Sequence, residues 1–226
     1  MADSSSPTLP VTARTQLRRY PVRGSFDREA VYRILDEGFV CHVAFAVDGQ
    51  PYAIPTGYGR AGDTVYLHGS SASRMMKSLA RGIDVCVTVT LVDGLVLARS
   101  AFNHSMNYRS VVVLGRARLV DDPEEKLAAL RALTNHIVPN RWDTLRPATA
   151  QELAATTVLA LPIAEASAKM RSGPPKDEGE DLAWPVWAGV VPMALHCGAP
   201  QPDGDVRADV APFEVAPLIA ARHARG

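Results

Sequence analysis

Short turn signals recur between apolar, β-branched runs, and they leave this chain little to form except antiparallel hairpins. Asp48-Gly49 is a strong two-residue hairpin signal, since both residue types tolerate the left-handed backbone such a turn needs. Ala61-Gly62-Asp63 predicts a second hairpin, between Tyr52–Arg60 and Thr64–His68. Asp93-Gly94 predicts a third, between Ile83–Val92 and Leu95–Phe102. Phe39, Cys41, Val43, Phe45 and Val47 alternate with Val40, His42, Ala44 and Ala46, so both faces of that strand are largely apolar, as in a closed barrel. A long strand over Tyr108–Val120 follows, its Val111-Val112-Val113 run favouring strand over helix. Further strands are predicted over Thr156–Arg171 and over Trp184–Cys197, the latter near an edge because of Pro185 and Pro192. The pattern predicts a mainly β fold, an antiparallel β-barrel with peripheral helices.

Two helices stand out. Asp27–Glu37 carries the apolar stripe Val31, Ile34 and Leu35, with Gly38 placed to end it. Asp122-Pro123-Glu124-Glu125 opens the second, with a capping Asp, Pro at the first helical position and acids in the first turn. Leu127, Leu130, Leu133 and Ile137 form its expected buried side, and Pro139 stops it. Residues 1–16, rich in Ser, Thr and Pro, predict a flexible tail; residues 17–197 hold the barrel; residues 198–226 predict an irregular extension with a short helix near Pro217–Arg222. A length of 226 residues suits one large domain.

Lysine plus arginine balance aspartate plus glutamate at 24 each, which argues against a nucleic-acid binder. No run of about 18 apolar residues predicts a membrane span. The early acid Asp3 and the lack of an apolar leader core predict a cytoplasmic protein. Cys41, Cys86 and Cys197 are odd in number and form no Cys-x-x-Cys pair, which fits reduced thiols. The spacing of His42, His68, His104 and His196 matches no zinc pattern, and no dinucleotide fingerprint, P-loop or nucleophile elbow occurs.

The chemistry concentrates where Thr64-Val65-Tyr66-Leu67-His68-Gly69 passes through Ser70, Ser71, Ala72 and Ser73 into Arg74-Met75-Met76-Lys77. A strand, a small-residue turn and a basic helix start would present unpaired amides, hydroxyls and two cations on one face, which together suit a phosphate. His68 ends the strand beside that site and can hold or release a proton near neutral pH.

Four segments carry a family likeness: Cys41-His42-Val43-Ala44-Phe45 with Gln50-Pro51-Tyr52-Ala53-Ile54-Pro55; Val65–Gly69 with Ser73, Arg74 and Lys77; Ser105–Gly115 with Asp121–Lys126; and Trp184–Pro192. In their order and spacing the chain resembles the pyridoxamine 5′-phosphate oxidase-like superfamily of split β-barrel flavoproteins, most of all the branch of nitroimidazole reductases and flavin-nucleotide-binding proteins. The resemblance implies FMN at a homodimer interface, with Ser70, Ser71, Ser73, Arg74 and Lys77 around its phosphate; Met75 stands where the family often has lysine. It also implies Pro55 and Thr56 at the ring edge, and Asn107, Tyr108 and Arg109 near the ring or the other subunit. His68 would contact the flavin and act as catalytic proton donor. Lys169 and Arg171 would form either a solvent edge or an anion-capturing pair, and Trp184 and Trp187 would cover the flavin or plug the barrel end. The implied activity is an FMN-dependent oxidoreductase taking electrons from NAD(P)H to a small organic molecule, such as a nitro or other electron-poor compound. A flavin-storage protein, or the same fold holding haem or a deazaflavin, is the alternative.

Overall fold

The computed structural model describes residues 6–215. Ten strands, β1 (Gly24–Ser25), β2 (Val40–Val47), β3 (Gln50–Ala61), β4 (Thr64–Ser70), β5 (Asp84–Leu97), β6 (Ser105–Arg116), β7 (Arg118–Leu119), β8 (Thr156–Pro162), β9 (Glu165–Arg171) and β10 (Gly189–Pro192), pair antiparallel throughout. Four α-helices accompany them: α1 (Arg28–Glu37), α2 (Arg74–Leu79), α3 (Pro123–Ile137) and α4 (Ala150–Ala155). The order β1-β9-β6-β5-β2-β3-β4-β8-β7 is a split barrel. The halves part at β3, whose residues 50–57 pair with β2 and whose residues 58–61 pair with β4. The path does not close into a ring, because β1 and β7 are its two ends. Val43, Val87, Val111, Val113, Leu67, Leu159 and Leu161 fill the interior, and α1 plugs it with Val31, Ile34 and Leu35.

Local signals set several of these elements. Asp48 and Gly49 both have positive φ, 52° and 80°, the turn that matches strand twist. Asp27 caps α1 by accepting from the Ala30 amide at 2.8 Å, and Asp122 caps α3 by accepting from the Glu125 amide at 2.8 Å. Gly38 ends α1, but with φ −70° and not a left-handed twist. It is small because a Cβ there would stand 2.5 Å from Val89 Cγ1 and 2.8 Å from the Tyr58 hydroxyl.

Other elements differ from expectation. Asp93-Gly94 is no hairpin. It sits inside the 14-residue β5 at a register shift against β6. There β10 crowds Gly94, whose Cβ would meet Val191 O at 3.0 Å. The turn to β6 comes later, through residues 98–104. The strand expected over Tyr108–Val120 splits at the buried Ala117 into β6 and β7, which pair with β9 and β8. The one expected over Thr156–Arg171 breaks at Ile163-Ala164 into β8, which pairs with β4 and β7, and β9, which pairs with β1 and β6. Only Gly189–Pro192 of Trp184–Cys197 is strand. Only one face of β2 is buried; the other leaves Val40, His42 and Ala46 exposed.

Helix α3 is rotated from its expected orientation. Ala129, Leu133 and His136 face inward, while Leu127 and Ile137 are exposed. The cause is Gly59 of β3, which lets the helix backbone come so close that a Cβ would lie 2.8 Å from Leu133 Cα. His136 Nε2 then reaches Gly38 O at 2.6 Å. Residues 6–16, expected as a mobile tail, lie against the sheet: Leu9 is 3% exposed within the core, and Thr12 and Arg14 bond Glu165 of β9. The Pro217–Arg222 helix falls outside the described residues.

Candidate functional site

An open cleft of ≈280 Å³ lies between the β2–β3 hairpin and the start of α2, lined by Phe45, Tyr52, Ile54, Ser73, Arg74 and Met75. One wall follows from hairpin register. The two-residue turn places Phe45 opposite Tyr52, and the rings stack with centroids 5.4 Å apart and planes 20° from parallel. The other wall is the turn after β4. Ser73 caps α2, its Oγ accepting from the Met76 amide at a long 3.5 Å. The amides of Arg74 and Met75, at the first two helical positions, have no intrahelical acceptor. Arg74 is exposed; it donates to the Tyr52 hydroxyl at 3.1 Å and lies 5.4 Å from that ring's centroid. No ion pair among the described residues holds its guanidinium.

The other sequence-predicted residues divide into two groups. Near the cleft in the chain, Thr56 shares the β3 face of Tyr52 and Ile54, Pro55 is on the opposite face, and Ser70 and Ser71 lie in the turn before α2. Ser70 Oγ accepts from the Ala72 amide at 3.2 Å, so it shapes the turn, and the Ser71 amide is held by Ala155 O at 3.1 Å. Lys77 is exposed one helical turn beyond Arg74. His68 is exposed on β4, paired across to β8 at Val158, and has no side-chain hydrogen bond among the described residues. Burial of part of its ring lowers its pKa, which keeps the imidazole neutral at pH 7.

The second group lies elsewhere. Asn107 is 8% exposed and faces inward, accepting from Arg171 and donating to Gly173 O at 3.2 Å, so its amide anchors a loop and does not face the cleft. Arg109 is clasped by Glu37, at 2.8 Å from NH2 to Oε1, and by Asp93, at 2.7 and 3.0 Å. The bonds to Glu37 and then Asp93 raise its pKa, and its donors tie α1 to the β5 bulge. Tyr108 pairs across to Val92 and Arg171, and Lys169 stands on β9, with β6, β5 and β2 between it and β3. Trp187 is 63% exposed, its ring edge packed on Gly189, and Trp184 is equally open. Neither tryptophan lines the cleft. Cys41 is inert: burial pushes its thiol up to about 12.

Sequence reasoning missed Phe45, Tyr52, Ile54 and Met75 as cleft residues. The signal was present for two of them. A turn centred on Asp48-Gly49 pairs Val47 with Gln50 and therefore Phe45 with Tyr52.

Comparison with known proteins adds a family and a set of similar structures. A family model described as pyridoxamine 5′-phosphate oxidase matches residues 27–170. The flavocytochrome Anf3 of Azotobacter vinelandii is 46% identical, with a TM-score of 0.84, over 90% of this chain and 94% of that one. An FAD and heme binding protein of Mycobacterium smegmatis is 39% identical, with a TM-score of 0.82, over 87% of this chain and 96% of that one. A putative 5-nitroimidazole antibiotic resistance protein of Bacteroides thetaiotaomicron is 25% identical, with a TM-score of 0.54, over 63% of this chain and 83% of that one. No curated protein matches the chain.

Proposed function

Because the chain belongs to the pyridoxamine 5′-phosphate oxidase family, we propose that it is a redox protein binding a flavin nucleotide in the Arg74 cleft and haem beside it. The observation that carries the flavin is Arg74 itself. It is an exposed guanidinium with no ion pair among the described residues, steadied by Tyr52, beside two amides with no intrahelical acceptor. Those groups fit a phosphate ester, which FMN and FAD both present. Phe45, Tyr52 and Ile54 supply an apolar wall for an aromatic ring system.

Haem is supported by the extent of the likeness. The family model ends at residue 170, and the two similar proteins described as flavocytochrome and as FAD and heme binding cover 90% and 87% of this chain. Neither share can be reached without the segment beyond residue 170. The nitroimidazole-resistance structure covers 63%. His68 would hold the haem iron through its imidazole, being neutral, exposed and without a hydrogen-bond partner among the described residues. His196, also exposed, lies in the segment beyond the family model.

When bound, the flavin supplies hydride and single-electron chemistry, and the haem single-electron transfer. The chain's own share is to clasp phosphate through Arg74 and the α2 amides, to wall one side of the cleft from water, and to hold an imidazole five residues before Ser73. The reaction is reduction of a small organic acceptor with electrons from NAD(P)H. The unit is a homodimer formed through the outer face of β2 and β3, where His42 and Ala46 stand exposed beside Pro51, Ala53 and Pro55.

The visible spectrum of the purified protein tests this reading. Flavin absorbance near 450 nm and a Soret band are expected, and chromatography of the released cofactor separates FMN from FAD. Absence of flavin absorbance, with none gained on adding FMN or FAD, would overturn it. His68→Ala should remove the Soret band and leave the flavin. A Soret band unchanged in that variant would mean that His68 is not the ligand, and would leave it free as a proton donor.

A further inference from the structure

On the β1–β9 side of the sheet, a group of cations gathers with no ion pair among the described residues. Arg171, at the end of β9, is 8% exposed. Its donors go only to neutral acceptors: Asn107 Oδ1, Gly173 O at 3.1 Å and Pro174 O at 3.1 Å. A buried charge met by carbonyls alone keeps most of its cost of leaving water. The pairing of Gly24 with Lys169 brings Arg23 alongside that strand end. Arg23 then lies over the Tyr20 ring, 4.3 Å from its centroid, with Arg19 at 5.2 Å. Tyr20 itself has φ 55°, a left-handed conformation a tyrosine seldom adopts without support.

Charge in this corner is one-sided. Most other arginines along the sheet are paired, yet none of Arg19, Arg23, Lys169, Arg171 and Lys176 has an ion pair among the described residues. Asp177, next to Lys176 in the chain, is turned away and engaged by the Arg99 amide at 2.9 Å and guanidinium at 3.3 Å. The Tyr20 phenol is lowered by Arg19 first and then by Arg23, the two cations that lie at its ring. In a chain whose total charge is zero, such a concentration is a local feature.

We propose that Tyr20, Arg23 and Arg171 form a second anion site, built for the phosphate of an organic phosphate ester. Guanidinium forks match phosphate oxygens in pairs, and an anion there would supply the missing countercharge for Arg171. The site is independent of the flavin reading, since β6, β5 and β2 separate β9 from the β3 wall of the Arg74 cleft.

Calorimetric titration of the full chain with inorganic pyrophosphate at low ionic strength tests it. The Arg23→Ala variant removes a half-buried side chain that makes no ion pair among the described residues and should lose about ten-fold in affinity, with a melting temperature near that of the wild type. Arg74→Ala should retain this binding, which separates failure here from failure of the flavin reading. Arg171→Lys, keeping the charge but not the fork, should weaken binding several-fold. Binding within two-fold of wild type in Arg23→Ala, or no binding to the wild type at millimolar pyrophosphate, overturns the proposal. Displacement of pyrophosphate by NADPH assigns the phosphate to a reductant, and displacement by FAD to the flavin's second phosphate. Displacement by neither of these nor by ADP overturns the organic-ester assignment.

Discussion

The Arg74 guanidinium donates to the Tyr52 hydroxyl at 3.1 Å, and this contact joins the strand–turn–helix cation to the hairpin that walls the cleft. Arg74→Ala removes the charged donor, and flavin affinity should fall about ten- to a hundred-fold, as for a lost charge-assisted bond. Tyr52→Phe keeps the ring stacked on Phe45 but frees Arg74 to move; a loss of a few-fold is expected. Fluorescence titration of apoprotein with FMN and FAD measures both.

Gly59 is where α3 touches β3 most closely. Gly59→Ala places a Cβ 2.8 Å from Leu133 Cα and N, backbone atoms that cannot swing aside. The helix must shift, and stability should fall by about 2–3 kcal/mol. Denaturant unfolding measures it, and Gly57→Ala, where a Cβ meets nothing within 4 Å, is the control.

Asn107 holds Arg171 and the Gly173 carbonyl and does not face the cleft. Asn107→Ala removes one acceptor of the buried Arg171 guanidinium and one of the two donors to the Gly173 carbonyl, at a cost of about 1–2 kcal/mol in chemical denaturation. Flavin affinity of the folded variant should stay within two-fold of wild type. A larger loss would restore the flavin role that its sequence position implied.

The N-terminal segment is held by Glu165, whose pKa is lowered by its hydrogen bond from Arg14 and then by Thr12. A carboxylate lowered on folding contributes stability that is present above its unfolded value of 4.5 and lost as pH falls through the folded value. Docking should therefore be constant around neutral pH and weaken only below about pH 4.5. Glu165→Gln imposes the acid condition at pH 7, and trypsin cleavage after Arg14 should speed up several-fold. An unchanged cleavage rate would show that this contact does not hold the segment.

Features set by neighbours in the chain were legible in advance. Asp48-Gly49 chose its turn, Asp27 and Asp122 chose their helices' first residues, and Ser73-Arg74 lay where a strand meets a helix. Asp93-Gly94 misled because its local chemistry is that of a hairpin, whereas its conformation is set by β10, nearly a hundred residues further on. Arg109 depends on distance in the same way. A strand position near the expected ring said nothing of Glu37, 72 residues earlier, which takes its guanidinium.

The amino-acid order alone determined an antiparallel split barrel of one family, the hairpin register that stacks Phe45 on Tyr52, and the cationic turn at Ser73-Arg74. These are consequences of alternation, turn chemistry and capping, all of which act within a few residues. Tertiary structure decided which charged and amide side chains are free. Asn107 and Arg109 were taken up by remote partners, α3 rolled about Gly59, and Arg171 was buried without a countercharge. Such outcomes depend on burial and on contacts between distant segments, and these exist only once the chain has closed on itself.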